Sequence, residues 1–432
     1  MLVEKEQKIE IQRPTGAVRI RQRFNWYMWF CGFVANLLSI PCGAVLVWIS
    51  PVISMLKSSD PDINPLGTPI TTVQLSLLAC TPSFSLIITP FLMDRLADKL
   101  GRKQWMLLAS LILISSLTVI AFVANIYVYY ISRFVYGISR DLIMINTSIY
   151  GNEIAEKNKR GMFTLLSSLG YPFGIIYGYV FGSITNFTTF TLICALPAVL
   201  HVLLNSLIVE SPVYLALKRK RFESLLALEK LRTSSEDKDI ELELTLITDD
   251  IKTNNTSSKP SLLSLFSSRL GRKGLFVSAV LTFTQKFSGI HFILPFLASS
   301  IDSAGISLSG NAMNIIIGVL LFIFFILTAL VVEKIGKRPL ILTSTFTCSI
   351  SMLFMGIYFY LTDIQSSWVA HFRWFPIPCA VIFIVGYGMG LGCLILPSAS
   401  ELFSNELRVL GQLPVGVHLF QSSSGSGIQT GG

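Results

Sequence analysis

Apolar runs of roughly twenty residues alternate with short polar turns along most of this chain. A bilayer core about 30 Å thick needs about 20 apolar residues per helix. Runs of that kind lie near 25–49, 70–92, 104–123, 126–148, 162–182, 189–209, 274–298, 311–332, 339–360 and 375–397. Backbone groups in lipid must be satisfied within the segment, so the pattern predicts helices throughout. Six runs precede a long polar stretch and four follow it.

A short charged turn occurs twice between such runs. The first copy is Asp98-Lys99-Leu100-Gly101-Arg102-Lys103, and the second is Glu333-Lys334-Ile335-Gly336-Lys337-Arg338-Pro339. Recurrence of acid, base, glycine and paired bases predicts a duplicated helical bundle, the architecture of secondary transporters with a site between related halves. The fold class expected is an all-α membrane protein of two related halves, six and four spans, joined by a cytoplasmic helical linker. The expected divisions are a cytoplasmic tail at 1–24, a first six-helix bundle at 25–209, a helical loop at 210–273 and a second, incomplete bundle at 274–411. Residues 412–432 form a low-complexity tail that cannot span a bilayer. Within the loop, Tyr214 to Arg232 are helix formers. The polar stretch from Thr233 to Ser258 reads as a flexible linker.

Charge gives the orientation. The chain carries a net charge of +9, and its bases are concentrated on one side. Lys5, Lys8, Arg13, Arg19, Arg21 and Arg23 stand in the N-terminal tail. Arg95, Lys99, Arg102, Lys103, Lys157, Lys159, Arg160, Lys334, Lys337 and Arg338 stand in loops predicted on the same face, whereas Lys57 and Arg373 stand opposite. Positive residues remain cytoplasmic, so the N-terminus and the central loop are expected inside, in a multi-pass plasma-membrane protein. This distribution is no signal for nucleic acid.

Enzymatic motifs are missing from the sequence. Gly386, Gly388, Gly390 and Gly392 recur in an apolar span with no Lys-Ser/Thr following, so they form no phosphate cradle. The seven cysteines show no metal-ligand spacing and read as small packing residues. No catalytic residue, metal or cofactor is expected. The partners expected are the lipid bilayer and a small polar solute.

A series of motifs follows in order: Arg133-Phe134-Val135-Tyr136-Gly137, Gly151-Asn152-Glu153-Ile154-Ala155, Arg160-Gly161, Glu210-Ser211-Pro212, Gln285-Lys286-Phe287-Ser288-Gly289-Ile290, and Glu401-Leu402-Phe403 followed by Arg408. With the two turns, this resembles the sugar porter family of the major facilitator superfamily over about residues 25–411. Trp48, Ser50 and Pro51, closing the first span, resemble its insect facilitated-trehalose-transporter-like branch. The resemblance implies a six-plus-six bundle, so the chain is expected to lack the last two spans. It also implies sugar transport (hexose, trehalose or a related glycoside) by alternating access.

The motif charges Asp98, Arg102, Lys103, Glu153, Arg160, Glu210, Glu333, Arg338, Glu401 and Arg408 fall at predicted cytoplasmic helix ends. They are expected to act as a gate, pairing across the halves when the cavity faces outward. Arg133 lies inside a span, where an arginine costs about 2.5–3.5 kcal/mol on insertion scales and needs an interior partner. It is grouped with the gate and is as well explained by a structural role.

The pocket departs from the family. Gln285 is retained, but Ser168 stands at the family's span-five glutamine, Lys286 at the second glutamine of span seven, His291 at the following asparagine, Leu321 at the span-eight asparagine and Leu396 at the span-ten tryptophan. Asp141, beside Arg140, replaces a small glycine. The expected substrate-binding residues are therefore Gln285, Lys286, His291, Ser168 and Asp141. Two arrangements are open: an Asp141–Lys286 pair, or Lys286 with His291 binding an acidic or conjugated substrate. The alternative is that Arg140 and Asp141 satisfy their own surroundings. Pro41 stands where proton-coupled members carry aspartate, which favours facilitated diffusion. The alternative function is a non-transporting nutrient sensor or a truncated, inactive relative.

Overall fold

The computed structural model describes residues 25–85, 88–89, 100–156, 160–232, 237–256, 269–303, 309–364, 372, 374–395 and 398. The described residues are mostly helical, with no strands among them. The first half contains α1 (Trp26–Lys57), α2 (Thr72–Cys80), α3 (Arg102–Phe122), α4 (Ile126–Ile154), α5 (Arg160–Ile184) and α6 (Phe187–Leu204). The connecting segment contains α7 (Pro212–Leu217), α8 (Arg221–Leu231) and α9 (Asp237–Thr256). The second half contains α10 (Arg269–Lys286), α11 (Ile290–Ser303), α12 (Gly310–Ile335), α13 (Lys337–Asp363) and α14 (Pro376–Met389).

Polar residues set the helix starts where the sequence changes character. Asn25 caps α1 by accepting from the backbone N–H of Tyr27 and Met28 at 3.1 and 3.3 Å. Thr71 and Gln74 form a reciprocal capping box at α2. Asn125 and Ser309 cap α4 and α12 by accepting from the backbone N–H of Tyr127 and Ala312.

The first helix runs past its expected end at 49, through Pro51 to Lys57. Trp48 keeps right-handed helical angles (φ −51°, ψ −38°), so the missing proline N–H weakens one turn without ending the helix. The seventh expected span is divided instead. Gly289, at φ +97°, turns the chain between α10 and α11. The polar stretch expected to be flexible forms α9, because Ile240 and Leu244 bury themselves against Leu228 of α8.

The two duplicated turns share one backbone geometry. Gly101 has φ +87° and ψ +168°, and Gly336 has φ +87° and ψ +159°. Both positions require glycine on φ alone. Their surroundings differ: a Cβ on Gly101 would lie 2.5 Å from Glu210 Oε2, whereas one on Gly336 would meet open space.

One core fills the first half, around Trp48, Trp105, Tyr129, Tyr136 and Phe190. A second core, around Leu321, Phe325, Phe383 and Ile384, fills the other half and takes in Val47, Ile175 and Tyr179 from the first. Within the first half, α5 lays Gly170, Gly174, Gly178 and Gly182 along α1. A Cβ on Gly178 would lie 2.8 Å from Val47 Cγ2 and 2.9 Å from Ala44 O. Four glycines at intervals of four let the two backbones touch, as in membrane helix pairs.

The outer surface is apolar. Five helices among the described residues are long and apolar enough to cross a membrane. Only 28% of the most apolar window of α12 is buried within the protein, and 33% of that of α13. Leu330, Phe346 and Leu353 are largely exposed. Such faces suit a hydrocarbon solvent.

Candidate functional site

The residues expected to bind solute come from α4 and from the break between α10 and α11. Asp141 sits midway along α4 and is nearly buried. Its Oδ1 accepts from Arg140 Nη2 at 2.8 Å and Nε at 3.1 Å. Its Oδ2 lies 2.7 Å from Ser85 Oγ and 3.5 Å from Thr89 Oγ1. Ser85 and Thr89 sit four residues apart, so one helix face can present both hydroxyls to the carboxylate. That pair escaped the sequence reading, although the spacing in the second span was its signal.

Lys286 ends α10 and His291 opens α11, on either side of Gly289. Both side chains keep accessible surface, although protein atoms surround them on most sides. Lys286 lies within electrostatic reach of Asp141 and Arg140, and His291 within reach of Lys286 and Arg140. Charged residues of both halves therefore come within electrostatic reach of one another, midway along α4 and at the α10–α11 break. Lys286 makes no ion pair or hydrogen bond with another described residue. Asp141 pairs with Arg140 rather than with Lys286.

Gln285 is engaged within its own half. Its Nε2 donates to Leu391 O at 2.8 Å, and its amide is hydrogen-bonded with Tyr387. Leu321 is buried in the second core. Only the backbone of Ser168 is described, in α5, and Leu396 lies outside the described residues.

Arg133 is buried and meets no carboxylate among the described residues. Its Nη1 donates to Val45 O at 3.2 Å, and its guanidinium lies 5.0 Å from the Trp48 ring centroid and 5.9 Å from that of Tyr136. A carbonyl and two aromatic faces spread the charge where water is excluded. Trp48 is itself fixed by donation from Nε1 to Thr191 Oγ1 at 3.0 Å.

At the duplicated-turn end, the gate residues form a network within the first half. Arg102 pairs with Glu153, with Nη2 3.2 Å from Oε1 and Nε 3.3 Å from Oε2, and lies 5.5 Å from the Tyr214 ring centroid. Glu210 Oε1 accepts from the backbone N–H of Arg102 at 2.8 Å, Lys103 at 3.1 Å and Ser211 at 2.9 Å. The carboxylate thus caps the positive end of α3. Burial pushes its pKa above the usual carboxylate range, and the backbone donors and Arg102 pull it down in part. Lys103 Nζ donates to Ile208 O at 2.7 Å, closing the same corner. Arg338, its counterpart in the second turn, is exposed. Arg160 and Glu333 are described in backbone only, and Asp98, Glu401 and Arg408 lie outside the described residues.

The connecting segment is bound to this corner. Arg232 Nη2 and Nε meet Glu243 at 2.8 and 2.9 Å, while Nη1 donates to Ile154 O at 2.8 Å, at the end of α4. Asn25 Nδ2 donates to Lys230 O at 3.4 Å.

Among the described residues, two hydrogen bonds join the halves at the opposite end. Asn314 Nδ2 donates to Ser50 Oγ at 2.9 Å, and Tyr179 Oη to Leu294 O at 2.6 Å. From Asn25, beside the turns, to Ser50 the helical rise is about 37 Å, a membrane's depth.

A helical bundle of this kind, charged at its centre and apolar outside, matches the major facilitator fold. The E. coli proton:xylose symporter XylE bound to 6-bromo-6-deoxy-D-glucose superposes with a TM-score of 0.70 at 18% identity, covering 92% of this chain and 87% of that one. A partially occluded, inward-open form of XylE gives 0.69 at 18% identity, covering 90% and 91%. The family model described as "Sugar (and other) transporter" matches residues 31–417, and the chain belongs to that family. Its curated relatives include the facilitated trehalose transporter Tret1 of Drosophila yakuba, 25% identical over 93% of this chain and 46% of that protein. Trehalose transporter 1 of Drosophila melanogaster is 24% identical with the same coverage. The chain thus spans about half the length of these relatives. The family is one of transporters, not enzymes.

Proposed function

We propose that this chain carries a sugar or a related small polar solute across the plasma membrane by alternating access of its two halves. The observation that carries this reading is the broken α10–α11 helix. It exposes Lys286 and His291 beside the Arg140–Asp141 pair of the other half. Interrupted helices at mid-depth supply the sites of many secondary transporters. The family's named relatives handle trehalose and xylose, which supports a sugar as solute.

Facilitated diffusion is the mode favoured. Pro41 occupies the position of the family's first-span aspartate, and Arg133 rests on aromatic rings instead of a carboxylate. The basic turns and tail support a cytoplasmic N-terminus and connecting segment. The division into 25–209 and 274–411 bundles serves this reading as two rocking bodies with a site between them.

One observation favours a second reading, a nutrient sensor that binds without transporting. Gln285, the retained amide, is already held by Leu391 and Tyr387. Uptake of labelled glucose, trehalose and glycosides into vesicles, with and without a pH gradient, tests both. Saturable uptake indifferent to the gradient is the expected result. Binding with no uptake of any solute would give the sensor reading instead.

A further inference from the structure

Across the ten apolar runs, Asp141 is the single acidic residue, while Arg133, Arg140 and Lys286 are basic. The membrane interior of this chain therefore carries an excess of two positive charges. Charges at that depth are expensive and are normally paired with one another or face a water-filled cavity.

The structure accounts for each base separately. Arg133 is sealed from solvent, with its charge spread over Trp48, Tyr136 and the Val45 carbonyl. Arg140 takes the whole of Asp141 Oδ1, and Ser85 and Thr89 occupy Oδ2. Asp141 is thus spent on its neighbours. Lys286 remains: on the edge of the Gly289 break, with accessible surface, and in no ion pair with a described residue, Asp141 acting on it only from a distance. His291 lies across the same break and within electrostatic reach of that charge.

We infer that the solute accepted at this site bears one anionic group, a carboxylate or a phosphate, on a sugar, and that the Lys286 ammonium is its charge partner. The inference rests on the transport reading above and narrows its substrate class. A neutral sugar would leave the ammonium without an ion-pair partner once the site closes and its dielectric falls, whereas an anionic one replaces the water lost on closure with a paired charge. The ion pair would strengthen as the cavity occludes, since screening falls with water. Arg140 adds positive potential behind the site without leaving Asp141.

The test uses the full chain purified in lipid nanodiscs, with binding of labelled D-glucose, D-glucuronate and D-glucose 6-phosphate. We expect at least one anionic sugar to bind ten-fold or more tightly than glucose. The arm that wins identifies the anionic group. Lys286→Gln should abolish that preference, and Lys286→Arg, which keeps the charge, should retain most of it. Elution of both variants as single species excludes misfolding, and recovery in the arginine variant separates loss of charge from loss of fold. Equal binding of glucose and both anionic sugars, or a preference unchanged in Lys286→Gln, would overturn the inference. Vesicle uptake of glucose in that case would leave the transport reading standing. Absence of binding and uptake for all three sugars would remove both together.

Discussion

Asn314 and Ser50, separated by most of the chain, share a buried hydrogen bond of 2.9 Å across the two halves. With the Tyr179–Leu294 bond it lies at the end of the bundle away from the duplicated turns. The Arg102–Glu153 pair and the Glu210 cap, at the turn end, stay within the first half. This conformation is therefore fastened between the halves at the far end. Tightening at one end and release at the other is what alternating access needs.

Removal of that fastening should shift the conformational balance. A typical hydrogen bond contributes about 1 kcal/mol, which is roughly a five-fold change in a two-state ratio. Asn314→Ala is expected to raise the population open at the far end by about that factor. Spin-label distances between the ends of α1 and α12 would measure it, and an unchanged distance distribution would show the bond to be incidental.

Glu210 should give the corner a pH dependence. Its carboxyl titrates above the ordinary range in the folded state because it is buried. The folded state then binds the proton more tightly than the unfolded chain, where the group titrates near about 4.3. The stability it contributes is full below that pH and is lost as pH rises through the raised folded value. Glu210→Gln keeps the Oε1 contacts and should flatten this slope, whereas Glu210→Ala should cost about 1–2 kcal/mol through loss of the helix cap. Thermal unfolding from pH 4 to 7 in detergent reads both effects.

Arg232 fixes the connecting helices to the first half. It reaches Glu243 by two nitrogens and the Ile154 carbonyl by a third, with a side chain only 9% exposed. Arg232→Lys cannot reproduce the fork, and the stranded Glu243 should weaken α9. Faster backbone hydrogen exchange in 237–256 is expected in the variant, with α3 and α6 unaffected. Uniform exchange across the chain would point to general destabilisation instead.

The α1–α5 contact tolerates no added atoms. A Cβ at Gly178 would press on Val47 and Ala44, and one at Gly174 would collide with the Ile40 carbonyl. Backbone atoms cannot step aside, so Gly174→Ala should cost about 1–3 kcal/mol. Gly356→Ala, where a Cβ would meet open space, is the matched control and should change the melting temperature little.

The sequence alone determined what depends on local chemistry. Length and apolarity set the helices, and the Asn25, Thr71, Asn125 and Ser309 caps mark where several begin. The repeated acid–Gly–base turn carried its own geometry, since Gly101 and Gly336 share φ +87°. The family was legible in ordered motifs, and the family model agrees over residues 31–417. Contacts between distant segments were not legible. Asp141 could have met Lys286; its neighbour Arg140 holds one oxygen, and only the packing of the second span on α4 brought Ser85 and Thr89 to the other. The polar stretch after Arg232 reads as loose until Leu228 supplies a surface for Ile240 and Leu244. Charge pairing and amphipathic burial are settled by which surfaces meet, and a residue's own identity leaves several partners open; tertiary packing chooses among them.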